Sequence, residues 1–321
     1  PRQRYWTPIS KIDEKVSLED AIEGTKEALL NSVKIRLRAD VPLAFCLSGG
    51  VDSAALASIA AKEYGAKVTT FSIIDSDERY NEEDNIMATI RDIGCEYHLI
   101  SASQEDPLSR LTKLIEYHDS PIATISYFVH SMISEKISEN GFKVSFSGTS
   151  ADELFTGYYD HFLLHLNEMR NTDDYDSCLH DWTRNILPFI RNPDLQNPDL
   201  YHQRPNFRDH IFDASHQIED FFLEPFAETY TEKKFSDNLM RNRMLNELFH
   251  EATPVVLHED DLNSMFYSVE NRSPYLDKNL QIFSYSIPSK HLIKNGYGKY
   301  ILREAVNGYL NDQVRLDRRK K

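Results

Sequence analysis

The feature that most restricts this chain is a turn, Ser48-Gly49-Gly50-Val51-Asp52-Ser53, set between an apolar run and a helical stretch. The run before it, Val41-Pro42-Leu43-Ala44-Phe45-Cys46-Leu47, reads as a short buried strand. Behind it, Ala54 to Tyr64 is rich in alanine and predicts a helix. A strand that passes into a helix through such a turn can cradle phosphate. The two glycines let the backbone approach an anion with no Cβ in the way. The helix start presents unpaired N–H groups and the positive end of its dipole. Ser48 and Ser53 add hydroxyl donors, and Asp52 can hold a magnesium ion that the phosphates share. The loop matches neither the kinase-type P-loop nor the Gly-x-Gly-x-x-Gly fingerprint, so both are disfavoured. A Gly-Gly pair after a strand can also be a plain tight turn. The flanking strand and helix and the Ser/Asp/Ser decoration favour phosphate.

Elements on either side extend the pattern. Leu18, Ile22, Thr25, Leu29, Val33 and Leu37 recur at helical spacing, with Ser17 as N-cap. Further strands are predicted at 67–74, 96–100 and 143–146, and helices at 82–93, 107–118 and 126–140. This alternation predicts an α/β fold, a doubly wound parallel sheet with helices on both faces. After about residue 160 the character changes. Residues 165–240 are rich in Asp, Asn, His and aromatics without regular alternation, while 235–257 and 278–310 are mostly helical. The expected organisation is a linker and first helix over 1–38, an α/β core over 39–160, and a mainly helical region over 161–321 that completes the active site.

Composition narrows the partners. A net charge of −15 argues against non-specific binding to nucleic acid or to an anionic membrane. It does not forbid nucleotide binding, because local backbone dipoles and metal ions hold phosphate. Cys46, Cys95 and Cys178 are odd in number and scattered, which predicts a reducing, cytoplasmic setting without disulfides or a zinc site. No run of about 18 apolar residues is present. The chain begins at Pro1 and ends on Arg318-Arg319-Lys320-Lys321, and a piece of a longer protein is expected.

Ser-Gly-Gly-Val-Asp-Ser resembles the pyrophosphate-binding motif of the ATP pyrophosphatases, the N-type synthetases, whose fold is that of the adenine nucleotide alpha-hydrolases. Two more segments resemble the synthetase domain of the asparagine synthetases among them. The first is Ser147-Gly148-Thr149-Ser150-Ala151-Asp152-Glu153-Leu154-Phe155-Thr156-Gly157-Tyr158. The second is Ser268-Val269-Glu270-Asn271-Arg272-Ser273-Pro274-Tyr275-Leu276-Asp277, followed by Gly298-Lys299-Tyr300-Ile301-Leu302-Arg303-Glu304. The resemblance implies cleavage of ATP to AMP and pyrophosphate, with a substrate carboxylate carried as an acyl-adenylate. It implies that Leu47 and Ile73 offer backbone contacts to adenine. Ser48 to Ser53 grip pyrophosphate, the Ser147-Gly148 backbone meets AMP, Asp52 and Asp152 hold magnesium, and Lys299 stabilises phosphate charge. A loose phosphoryl-type transition state needs such positive charge around it.

Some positions depart from that pattern. The family usually has a glutamate where this chain has Thr149, and threonine cannot take a proton at neutral pH. Tyr158 and Glu270 resemble the tyrosine–glutamate base of β-lactam-forming relatives, although Glu270 and Arg272 can equally be a structural ion pair. The glutaminase half of the full-length members, with its N-terminal Cys, is expected to be missing from this piece, and Arg2-Gln3-Arg4-Tyr5-Trp6 resembles the linker to it. The expected partners are therefore a small carboxylate, ammonia drawn from glutamine by an N-terminal glutaminase domain, and a second copy in a homodimer. Aspartate is the leading acceptor, a sugar uronic acid of surface-polysaccharide synthesis the alternative, and an inactive scaffold or nucleotide sensor the third reading. His161 and His165, four residues apart, lack an evident third ligand and read as core.

Overall fold

The computed structural model describes residues 11–74, 77, 81–101, 106–211, 221, 223 and 231–318. The linker-like segment 2–6 therefore lies outside the described residues. Five strands form one sheet: β1 (Leu43–Cys46), β2 (Thr69–Ile74), β3 (Glu96–Ser101), β4 (Val144–Phe146) and β5 (Glu270–Arg272). Their order is β3-β2-β1-β4-β5 and every pair is parallel. The central strand is apolar on both sides, as a sheet covered on both faces requires.

Alternate residues of that strand feed two packing layers. Phe45 stacks on Phe146 with ring centroids 4.8 Å apart. They join α1 (Leu18–Arg36), α2 (Val51–Lys62) and α3 (Glu83–Ile93) through Leu29, Val33, Leu56, Ile59, Ile86 and Ile90. On the opposite face Ala44 and Phe71 pack with Ile137 and Val269, beneath α4 (Pro107–His118) and α5 (Ile125–Glu139). Ser17 caps α1 as expected, its hydroxyl accepting the Asp20 N–H at 3.0 Å.

Beyond β4 the α-helices among the described residues are α6 (Ala151–Phe155), α7 (Tyr159–Met169), α8 (Tyr175–Asn185), α9 (Leu200–Gln203), α10 (Leu239–Phe249), α11 (Ala252–Phe266), α12 (Lys278–Ser284), α13 (Tyr300–Ala305) and α14 (Asp312–Arg315). β5 had no strand signal of its own. Its three residues, Glu-Asn-Arg, are polar, and they pair with β4 because the chain returns there after α11, with Val144 opposite Glu270 and Phe146 opposite Arg272. The Arg272 guanidinium then donates to the carbonyls of Arg36 and Arg38 at 2.6 and 2.8 Å, tying this edge to the end of α1.

Candidate active site

Parallel strands open their ligand crevice at the carboxyl ends, and here β1 and β4 end side by side. The Ser48 N–H donates to the Ser53 hydroxyl at 3.0 Å, and the two hydroxyls lie 2.9 Å apart. Gly50 stands at the N-cap of α2 with no side chain capping it. The start of α2 is thus shaped by the loop backbone, as an anion cradle needs. The second loop lies against the first: a Cβ on Gly148 would come 3.0 Å from the Ser53 nitrogen and 3.1 Å from the Asp52 Cβ. Buried Tyr275 braces the loop from below, its hydroxyl donating to the Asp52 carbonyl at 3.0 Å.

Lys299 reaches the loop from α13. Its ammonium lies 2.6 Å from Asp52 Oδ2 and 2.8 Å from Asp152 Oδ1, and the residue is only 8% exposed. Burial alone would lower the lysine pKa; Asp152 and then Asp52 outweigh it and hold the pKa above its ordinary value. The group stays cationic throughout the neutral range. Its backbone is left-handed, with φ 55°, and its N–H donates at 3.2 Å to Thr156, itself at φ 73°. A β-branched residue in that region is strained, and such strain persists where surrounding contacts over-determine it. These groups line a cleft of about 200 Å³ together with Gly157, Arg303 and Glu82.

Glu82 was not legible as a site residue, because nothing links it to the loop in sequence. Its Oε2 accepts the Gly49 N–H at 2.9 Å. Asn85, one turn on, donates to the Gly49 carbonyl at 3.2 Å. The Glu82 carboxylate thus takes an amide of the kind that would receive a phosphate oxygen. We expect Glu82→Ala to tighten ATP binding about 10-fold, since a hydrogen bond to a charged group contributes about 1.5–3 kcal/mol. Titration calorimetry checks this; weaker binding in the variant would make Glu82 a positioning group instead.

Leu47 and Ile73 sit at the ends of neighbouring strands. Leu47 is buried and donates its N–H to the Phe71 carbonyl at 2.9 Å, and it is not among the described residues that line the cleft. Ile73 packs on the α4/α5 side beside Leu114 and Phe128. Ser147 contacts the hydroxyls of Thr149 and Ser273 at 3.1 and 3.2 Å. Thr149 thus joins a neutral hydroxyl cluster where the resemblance places a carboxylate.

The expected pairing of Tyr158 with Glu270 requires correction. Glu270 begins β5 opposite Val144, at the amino end of the sheet, whereas the site loops follow the carboxyl ends of β1 and β4. Its carboxylate is 59% exposed and pairs with Arg272 at 2.7 Å, which is the structural ion pair. The Tyr158 hydroxyl donates instead to Glu153 Oε1 at 2.7 Å. Burial, and next the charge of Asp152, push Glu153 up to about 7. Burial, then Asp152 and Glu153, push Tyr158 well above the usual phenol range, so it stays protonated.

The raised Glu153 pKa carries a stability prediction. The folded state binds this proton more tightly than the unfolded chain does, so stability is lost as pH rises from 4.5 toward 7. The size is about 3 kcal/mol. Glu153→Gln is expected to flatten the fall of melting temperature across that interval; an unchanged slope would assign it to other groups.

The histidine pair does not form a metal site. His161 Nε2 lies 2.8 Å from Glu247, while its Nδ1 accepts the Gly157 N–H at 3.2 Å. His165 is buried, and burial lowers its pKa to about 4. Among the described residues Asp160, His161 and Glu247 lie close enough to share an ion. The Arg243 guanidinium already supplies that cation, with Nε 3.4 Å from Asp160 and 3.0 Å from Glu247.

Comparison with known proteins adds a family. The family model described as "Asparagine synthase" matches residues 24–321. Asparagine synthetase [glutamine-hydrolyzing] 1 of Bacillus subtilis is 25% identical over 98% of this chain and 50% of its own length. Amidase chyE of Penicillium rubens is 25% identical over 97% of this chain and 54% of its own. Asparagine synthetase [glutamine-hydrolyzing] 3 of Bacillus subtilis is 26% identical over 97% and 49%. The chain spans about half the length of the curated relatives it matches. No helix among the described residues is long and apolar enough to cross a membrane.

Proposed function

Because the chain belongs to the asparagine synthase family, we propose that it activates a carboxylate with ATP and passes the acyl group to ammonia. The observation that supports this most is Lys299 held between Asp52 and Asp152 beside the glycine loop. A carboxylate oxygen attacks the α-phosphorus, the bond to the bridging oxygen breaks, and pyrophosphate leaves. Ser48, Gly49, Gly50, Val51 and Ser53 hold that leaving group by backbone and hydroxyl donors, and Lys299 neutralises its charge. The Ser147-Gly148 backbone and the strand ends at Leu47 and Ile73 hold the nucleotide.

Magnesium is implied by the family, and the donor set fits it: two carboxylates, Asp52 and Asp152, already converge on one cation. Bound there, the ion would offset polyphosphate charge. Ammonia then attacks the acyl carbon, the bond to AMP breaks, and the nitrogen loses a proton. Tyr158 relays that proton to Glu153, whose pKa near 7 suits a general base.

The names of the Bacillus relatives make aspartate the reference acceptor, with ammonia released from glutamine by a partner domain. Thr149 keeps a uronic acid as the alternative. The test is pyrophosphate release from ATP and magnesium with ammonium and a panel of acids. Asp52→Ala should abolish it, and turnover that survives the substitution would sink the metal assignment.

A further inference from the structure

A second and larger cavity, about 670 Å³, lies beside the nucleotide cleft and shares Tyr159 with it. Resting on the adenylation reading, we propose that this cavity receives the acceptor, and that the acceptor is a monocarboxylic acid with a bulky apolar body. Its volume is that of a site for a drug-sized ligand, far more than a four-carbon diacid fills. The walls include Tyr127, Tyr159, Leu195, Val255 and Val256, with Tyr158 standing between the cavity and Glu153.

Charge excludes a second anionic group. Among the described lining residues Arg243 is the one permanent cation, against Asp160, Glu247 and Glu251. Its guanidinium is engaged on every nitrogen: Nε with Asp160 and Glu247, Nη1 with Glu232 at 3.2 Å, Nη2 with Glu251 at 2.6 Å. His210 faces Asp160 at 3.3 Å. The sequence 212–230 contains neither lysine nor arginine. A free α-carboxylate, as in aspartate, would meet a net negative charge among the described lining residues, with Arg243 already committed to carboxylates, at a cost of desolvation. A uronic acid would set part of its hydroxyl-bearing ring against Tyr127, Leu195, Val255 and Val256. An acid whose single carboxylate is consumed at the α-phosphorus, and whose remainder is aromatic or branched aliphatic, fits both size and charge.

The test measures pyrophosphate release from the full chain with ATP, magnesium and ammonium, using 4-phenylbutanoate, 4-methylpentanoate, aspartate and glucuronate. The apolar acids should support release at rates at least 10-fold above aspartate and glucuronate. Val256→Trp, which fills the cavity, should raise KM for the apolar acids at least 10-fold and leave KM for ATP within 2-fold. Ala252→Leu is the milder variant should the tryptophan unfold the chain, as judged by thermal melting. Release with aspartate or glucuronate alone, or an acid KM that neither variant moves, overturns the assignment of the cavity while adenylation stands. Release with none of the acids overturns adenylation itself.

Discussion

Lys299→Ala is expected to lower acid-dependent pyrophosphate release by about 10²–10³-fold, the range seen when one preorganised charge-stabilising donor is removed. The ammonium is the cation that Asp52 and Asp152 share, at 2.6 and 2.8 Å. Without it two carboxylates face each other and would repel incoming polyphosphate. Lys299→Arg should be impaired as well, because a planar fork cannot replace a compact ammonium between two carboxylates. The check is the release rate at saturating ATP, with thermal melting to confirm the fold. A rate within 10-fold of the parent would remove Lys299 from the chemistry.

Gly157→Ala should produce a comparable loss with little change in stability. A Cβ at this position would lie 1.4 Å from Asp152 Oδ1 and 2.7 Å from Lys299 Cε. The atom struck is the end of a short side chain, so Asp152 rotates away rather than the backbone moving. An off-rotamer side chain costs about 0.5–1.5 kcal/mol, which the fold tolerates. The Asp152–Lys299 pair does not survive the rotation. Release of pyrophosphate should therefore collapse while the melting temperature shifts by only a few degrees. Activity retained in a folded Gly157→Ala protein would show that Asp152 need not touch Lys299.

These two residues mark how much of the site could be read in advance. Lys299 and Asp152 each stand in a recognisable segment, and a role for each was expected. Gly157 lies in a quoted segment too, but the need for a missing Cβ appears only when Asp152 and Lys299 converge on it. Glu82 lies 33 residues from Gly49 and carries no local signal. Tyr158 was expected to pair with Glu270, and both residues are of the right type. The register of β5 sends Glu270 to the far edge of the sheet and leaves Glu153, one turn of chain away, as the partner.

The sequence by itself determined the sheet of alternating strands and helices and the glycine loop at the end of β1. Residue periodicity, capping and turn chemistry act within about ten residues, so they are written locally. It could not determine which distant side chains meet. Lys299 reaches Asp52 across 247 residues, Arg243 is drained of free charge by four separate carboxylates, and a large apolar cavity opens between α7, α10 and α11. Those outcomes depend on how helices pack over the sheet, and that packing is decided only when the whole core closes.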